Sequence, residues 1–489
     1  MSASRARPLV ALAVVLSLAL TLRLYRLDHQ SFWIDEVYQV QAASEPVSKL
    51  MQSVVLHAEG GPLSLLLTHF ALSPERPEWS ARLPSVLFGT AGVLILYLVA
   101  ATLFPSPIPI LSALLLACAP LHVWYSQEAR WYAPWVPITA LSYLALVHAV
   151  RSRRAGAWIA YGAVAILGLY TFVLGVAVVA SQAVTTWWLT RLRSDRGATS
   201  RGLAWVAVGA AVLAAPVVWL MVNHHQAMTG TRGRPVPFAV LPYTFFAYTM
   251  GFSFGPTLEY LHHYPALSEV VVRHPEVLVV AAIIAPLVAL GVFGLRRTPE
   301  AMAVVLPWLF GPPLLIFVLA YNTNVAYNVR YTLAALPAFI VVLAVGITSV
   351  SPRWLAGVAL AAVLGCFAVS TTNYFFDPRY AKEDVKGALT VIRGTPQREA
   401  PVVALGQIEA AVWYYGPDLH VVSFFGCDEF DERLRKANLA DVRTLWVIRG
   451  RDYEDASAPC VDHLRKIFDV ERAEGFIGVD VQLLERRRG

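Results

Sequence analysis

Apolar residues run in long, nearly uninterrupted stretches over the first 372 positions, then alternate with polar ones over the last 117. A helix that crosses a bilayer needs about 20 mostly apolar residues. About eleven stretches meet that need, near 8–27, 80–103, 107–124, 131–150, 156–172, 174–190, 202–221, 276–294, 302–320, 331–350 and 354–372. Shorter apolar stretches at 46–56, 62–72 and 238–254 fit helices lying in the membrane interface. After Tyr380 the period changes. Residues 382–393, 407–415, 428–438 and 460–468 read as helices, and 401–405, 419–425, 444–449 and 477–485 as extended segments. Such alternation predicts a small α/β layer. The fold class is therefore an α-helical polytopic membrane protein, residues 1–372, followed by a soluble α/β domain, residues 373–489.

Charge sharpens that division. The first 372 residues hold 22 Lys/Arg and 13 Asp/Glu, against 17 and 20 in the last 117. The net charge of +6 comes from arginines in short loops, so it marks orientation in a bilayer rather than a nucleic-acid partner. Arg5, Arg7, Arg151, Arg153, Arg154, Arg191, Arg193, Arg196, Arg201, Arg296, Arg297 and Arg353 recur at every second connection. Placing them in the cytosol puts the N-terminus inside and the C-terminal domain outside the cell membrane. The first span lacks a small-residue cleavage site after Thr21-Leu22-Arg23 and reads as an anchor. Outer loops then fall at 28–79, 222–275 and 321–330, with a further outer corner at 125–130. Cys427 and Cys460 lie in outer turns, where an oxidising compartment favours a disulfide. Cys118 and Cys366 lie inside spans as core residues.

Candidate chemistry collects on the outer side. Asp35 and Glu36 stand beside Phe32 and Trp33 just past the first span. A carboxylate near low-dielectric surroundings suits a general base or an ion ligand; a solvated loop with an aromatic anchor is the plain alternative. Tyr125-Ser126-Gln127-Glu128-Ala129-Arg130-Trp131-Tyr132 packs polar groups between two spans, where they are costly unless paired or used. A structural Glu128–Arg130 contact is the alternative there. Arg330, in Tyr327-Asn328-Val329-Arg330-Tyr331, can grip a phosphate or simply snorkel. His29, His57, His224, His225, His262, His263 and His274 crowd the outer loops with Glu59 and Glu259, yet no spacing matches a metal motif. The cytosolic loops carry no phosphate-binding or dinucleotide fingerprint. Whatever reacts must therefore arrive on a lipid or from outside.

These motifs, in this order, resemble the lipid-dependent glycosyltransferases of the protein O-mannosyltransferase superfamily. That group includes bacterial family-39-like enzymes and the aminoarabinose transferase that modifies lipid A. The resemblance rests on Arg26-Leu27 followed by Trp33-Ile34-Asp35-Glu36, on Ser126 to Arg130 with Tyr132, on Arg330-Tyr331 through Leu336-Pro337, and on Lys382-Glu383-Asp384. One departure stands out. Where the group has a His-Pro-Pro-Leu-like segment, this chain reads Glu59-Gly60-Gly61-Pro62-Leu63, with His57 displaced.

The resemblance implies a C-type glycosyltransferase fold and a polyprenyl-phosphate sugar donor. It also implies transfer at the outer face with inversion at the anomeric carbon. Asp35 would be the base, aided by Glu36. Glu128, Arg130, Arg330 and Tyr331 would bind donor or acceptor, and Arg330 would hold the leaving phosphate. The acceptor stays open among protein, lipid and glycan. No cofactor is implied with certainty, and outer acidic pairs serve metal-free and divalent-cation-dependent relatives alike. A transporter or lipid flippase is the competing reading. It fits poorly, because transporters place ionisable groups near the midplane.

Overall fold

The computed structural model describes residues 3–50, 61–192, 215, 219, 236–262, 265–323, 325–406, 408–424, 427, 430–439, 442–451 and 457–487, with backbone alone for 3–7, 262 and 431. The expected span at 202–221 falls outside the described residues except for 215 and 219, and His57, Glu59, His224, His225 and His263 fall outside them too. The chain forms two compact units. The first comprises Met1–Tyr25, Ala42–Phe254 and Arg273–Thr371; the second comprises Arg26–Gln41, Gly255–Val272 and Thr372–Gly489. Two segments expected in outer loops thus fold with the C-terminal residues.

The first unit is helical. Among the described residues, six helices are long and apolar enough to cross a membrane: Pro77–Leu103, Tyr132–Ser152, Glu276–Arg297, Pro299–Asn322, Val329–Ser349 and Arg353–Phe376. Each of the other expected spans in the described region also lies on helix, at Ala3–Leu24, Ile108–Cys118 with Pro120–Ser126, Ala155–Thr171 and Gly175–Leu192. The expected interfacial stretches at 62–72 and 238–254 hold the short helices Pro62–Ala71 and Val240–Met250. Burial sorts the long helices. In Val329–Ser349, 89% of the apolar window is buried, against 22% in Glu276–Arg297, so the former is interior and the latter keeps an apolar face for lipid. These two helices approach closely. A Cβ on Gly346 would meet the Leu287 carbonyl, and one on Gly291 that of Val342, as at small-residue helix contacts in membranes.

Proline sets the breaks. Pro120 cannot donate a backbone hydrogen bond, and its ring disfavours helix at the preceding residue. The expected third span accordingly divides at Ala119, which has φ −60° and ψ 118°. Three prolines inside Pro299–Asn322 are carried by an apolar helix whose neighbours pack around it.

The second unit is built on a five-stranded sheet. The strands are β1 (Val402–Leu405), β2 (Val421–Phe424), β3 (Thr444–Gly450), β4 (Phe468–Phe476) and β5 (Val479–Arg486), in the order β2-β1-β3-β5-β4. β1 pairs in parallel with β2 and β3; β5 pairs antiparallel with β3 and β4. β1, inside the parallel half, is apolar and buried along its whole length, as a strand covered on both faces requires. β4 is an exposed edge strand rich in charge, FDVERAEGF, and its polarity hides it from the alternation. Phe476 pairs with Val479, so Ile477-Gly478 makes the hairpin turn, with Gly478 at φ +65°. Cys427 and Cys460 form a disulfide with Cα atoms 5.2 Å apart. The bond closes over a core that includes Val403, Leu405, Phe424, Leu434, Leu464 and Leu484.

Candidate active site

The Asp-Glu motif belongs to the second unit. Arg26, at φ +55°, turns the chain sharply. Its guanidinium donates to the Phe375 carbonyl at 2.8 Å and lies over the Phe376 ring, with His29 also in contact. The next residues are stitched to the C-terminal domain. Lys382 N–H donates to Gln30 Oε1 at 3.2 Å, and Lys386 N–H to Ser31 Oγ at 3.4 Å. Phe32 is fully buried, its N–H donating to the Tyr415 hydroxyl at 2.7 Å and its ring against Tyr414 and Tyr415. Helix Ile34–Ser44 then begins, with Asp35 and Glu36 in its first turn, where acids complement the helix dipole.

That helix divides its residues between two faces. Glu36, Val37, Gln39 and Val40 are buried, whereas Asp35 is half-buried and Tyr38 exposed. Glu36 Oε2 accepts from Lys382 Nζ at 3.0 Å, and both side chains are buried. The same ammonium lies 5.8 Å from the centre of the Trp33 ring. Burial pushes the Tyr38 hydroxyl pKa up, with the charges of Glu409 and Asp35 adding to the effect. Glu409 is itself only 7% exposed, its Oε2 has no hydrogen-bond partner, and burial raises its pKa.

Glu128, Arg130, Arg330 and Tyr331 belong to the first unit. There the broken helix and the first helix cap each other. Pro120 supplies no N–H, so the Leu116 carbonyl lacks its helical donor. Arg23 provides one, donating to Leu116 O at 3.3 Å, Ala117 O at 3.1 Å, Ala19 O at 2.8 Å and Ser126 Oγ at 3.2 Å, with His122 Nδ1 at 2.6 Å. In return Gln127 Nε2 donates to the end of the first helix, at Arg23 O (2.9 Å) and Tyr25 O (2.8 Å). The corner that follows is fixed. Trp124 Nε1 donates to Glu128 Oε1 at 2.8 Å, and Ser85 Oγ to the Glu128 carbonyl at 2.5 Å.

Two guanidinium groups meet at one ring. The Arg130 Cζ lies 5.8 Å from the centre of Tyr132, and the Arg330 Cζ 5.7 Å from the same ring and 5.4 Å from Tyr331. Asn328 sets Arg330 by accepting its backbone N–H at 3.1 Å, capping the 3-10 turn Val329–Ala335. Tyr331 is buried beside Trp131, which stacks on Phe172 with centroids 3.6 Å apart. Two guanidinium groups gathered on one aromatic face concentrate positive charge there, which suits them to bind a phosphate.

The structure thus brings Asp35 and Glu36 together on one helix, and Arg130, Arg330 and Tyr331 around Tyr132. Sequence reasoning missed Arg23 and Gln127 as caps; Pro120 within a span was the available signal. It also missed Glu409, which reads as an ordinary helix-start acid. Among the described residues, no group of three or more His, Cys, Asp or Glu could hold a metal ion. Of the histidines, His274 pairs with Glu276 at 3.0 Å and His29 with Arg26. The Gly61 departure has a local reason. Its N–H donates to Thr171 O at 3.0 Å, and a Cβ there would run into the Tyr170 carbonyl, so proline does not fit.

Residues 63–220 match the family model described as dolichyl-phosphate-mannose-protein mannosyltransferase. No curated protein matches by sequence. Among solved structures, ArnT from Cupriavidus metallidurans in the apo state is 14% identical, with a TM-score of 0.57 over 99% of this chain and 98% of that one. ArnT bound to undecaprenyl phosphate gives 0.54 at 14% identity over 98% of each chain. The archaeal oligosaccharyltransferase AglB from Archaeoglobus fulgidus, in complex with an inhibitory peptide and a dolichol-phosphate, gives 0.53 at 13% identity over 92% of this chain and 70% of that one. The chain has the C-type glycosyltransferase fold in a multi-pass membrane protein. Its resemblance to the protein O-mannosyltransferase superfamily is matched by the family model over residues 63–220 and by the fold.

Proposed function

We propose that this protein transfers a sugar from a polyprenyl-phosphate donor to an acceptor at the outer face of the membrane. The observation that carries the reading is the pair Arg130 and Arg330 on Tyr132. Two fixed cations at a membrane-embedded aromatic cluster are suited to a lipid phosphate, whose charge grows as the sugar leaves. A membrane-bound donor is also what the ArnT complex with undecaprenyl phosphate supports by analogy of fold. The Cys427–Cys460 disulfide supports an oxidising, extracytoplasmic setting for the C-terminal domain.

In this reading the Asp35 carboxylate takes the proton of an acceptor hydroxyl as its oxygen attacks the anomeric carbon. The bond from that carbon to the phosphate oxygen breaks on the opposite side, so the configuration inverts. Arg330 and Arg130 take up the charge on the departing polyprenyl phosphate, Tyr331 backs Arg330, and Glu128 positions a sugar hydroxyl. The acceptor hydroxyl belongs to a protein, lipid or glycan of the cell envelope.

The test is single-turnover release of labelled sugar from a polyprenyl-phosphate donor by the purified protein in lipid nanodiscs, with donor affinity measured separately. General-base assistance is worth about 10²–10⁴-fold. Asp35→Asn should lose that much in rate while binding donor normally. Native turnover in Asp35→Asn would refute the assignment of the base. Failure of the wild-type protein to bind polyprenyl phosphate at all would overturn the whole reading.

A further inference from the structure

Asp35 and Glu36 are neighbours in the chain but not in environment. Successive residues on a helix point about 100° apart. Burying one of an adjacent acidic pair therefore fixes where the other points. Glu36 is the buried member, at 0% exposure, and it shares its face with Val37 and Val40. Asp35 keeps the half-open face, on the same side as Tyr38 three residues on.

A carboxylate does not enter an apolar face without compensation, because an unpaired buried charge costs several kcal/mol, an order-of-magnitude penalty. Lys382 supplies the compensation. Its Nζ is 3.0 Å from Glu36 Oε2, and it is itself 8% exposed. The ammonium also stands at the face of Trp33, so it contacts residues on both sides of Asp35. Its backbone N–H holds Gln30, upstream of the motif. One residue of the C-terminal domain therefore touches the motif segment at Gln30, Trp33 and Glu36, and its ammonium fixes the buried acid of the pair.

We propose that Lys382 is the positioning residue for Asp35, and that Glu36 serves as its handle rather than as a second reacting carboxylate. The C-terminal domain then has a direct part in the reaction through this lysine. Without the ammonium, the Glu36 carboxylate seeks water. The helix turns about its axis to bring it out, and Asp35 swings off the acceptor. This inference rests on the reading of Asp35 as the base.

The experiment is a cycle of Lys382→Met and Asp35→Asn in the full-length protein, with turnover of a labelled polyprenyl-phosphate sugar, donor affinity and melting temperature measured on each. Lys382→Met should lower kcat at least tenfold with donor KM within twofold. It should cost nothing further in an Asp35→Asn background, because both changes act through one group. A fold-only role would instead slow both backgrounds by the same factor, and that result, or native kcat in Lys382→Met, overturns the proposal. If Lys382→Met does not fold, Lys382→Gln, which keeps a donor but not the charge, carries the same comparison. Lys382→Arg, which restores the charge, should recover most of kcat. Native turnover in Asp35→Asn alone would instead refute the base assignment and is read separately.

Discussion

Replacing Arg23 with methionine separates two accounts of an arginine near the end of a membrane helix. A snorkelling arginine would be lost at little cost. Arg23 is instead fully buried and serves the carbonyls of Leu116 and Ala117 and the His122 ring nitrogen. Ala19 keeps its helical bond to the Arg23 backbone, so three acceptors are stranded by the change. Each unsatisfied acceptor costs about 1–3 kcal/mol. Against this stands the recovery of a few kcal/mol from no longer burying a charge. The net loss is roughly 2–4 kcal/mol, since stranded groups in a bundle have no water to turn to. Arg23→Lys keeps the charge but not the fork, reaches fewer acceptors, and should fall about midway. Melting in detergent can be followed with a fluorogenic maleimide, because Cys118, a free cysteine, lies at the break that Arg23 caps. The methionine variant should melt lower and expose Cys118 earlier. Melting at or above the wild-type temperature would show that burying the guanidinium costs more than its bonds return, and would refute the capping account.

Arg330→Lys keeps the charge but loses the planar fork, so turnover should fall, and fall further in Arg330→Ala; equal, near-native turnover in both would leave Arg330 as an interface anchor. Burial raises the pKa of Glu409 above its unfolded value, so its favourable contribution is complete below the ordinary carboxylate range and is lost as pH rises through the raised value. Glu409→Gln should therefore match the wild-type melting temperature near pH 4 and exceed it near pH 8, and an equal difference at both pH values would contradict the sign. The Cys427–Cys460 bond spans 33 residues, which the chain-entropy treatment values at about 3.5–4 kcal/mol. Unreduced, denatured protein should alkylate at Cys118 and Cys366 only, and labelling of all four cysteines before reduction would dismiss the bond.

The membrane helices were legible because a long apolar run has few alternatives. The five-stranded sheet was legible where the strands are rich in apolar residues, at β1, β2, β3 and β5. β4 was not, since its exposed, charged sequence carries no apolar alternation, as suits an edge left open to water. Asp35, Arg130 and Arg330 stood out as charges beside apolar spans. Their partners did not. Nothing local in the sequence joins Glu36 to Lys382, Arg23 to the carbonyls of Leu116 and Ala117, or Phe32 to Tyr415, because each contact crosses about a hundred residues or more. The same holds for the placement of residues 26–41, which follow the first span in sequence yet fold with the C-terminal unit.

That placement orders events in time. Glu36 and Lys382 are 346 residues apart. Synthesis at about 5–20 residues per second leaves the motif helix waiting roughly 20–70 s for its lysine. During that interval the Glu36 carboxylate lacks the Lys382 ammonium that is beside it in the folded protein. On the proposed role of Lys382, a chain cut short before residue 382 would thread its spans into the membrane and still leave Asp35 unaligned. If Lys382 sets Asp35 as proposed, the site is completed only when the last domain folds, and a partly made protein in the membrane is silent toward lipid-linked sugars.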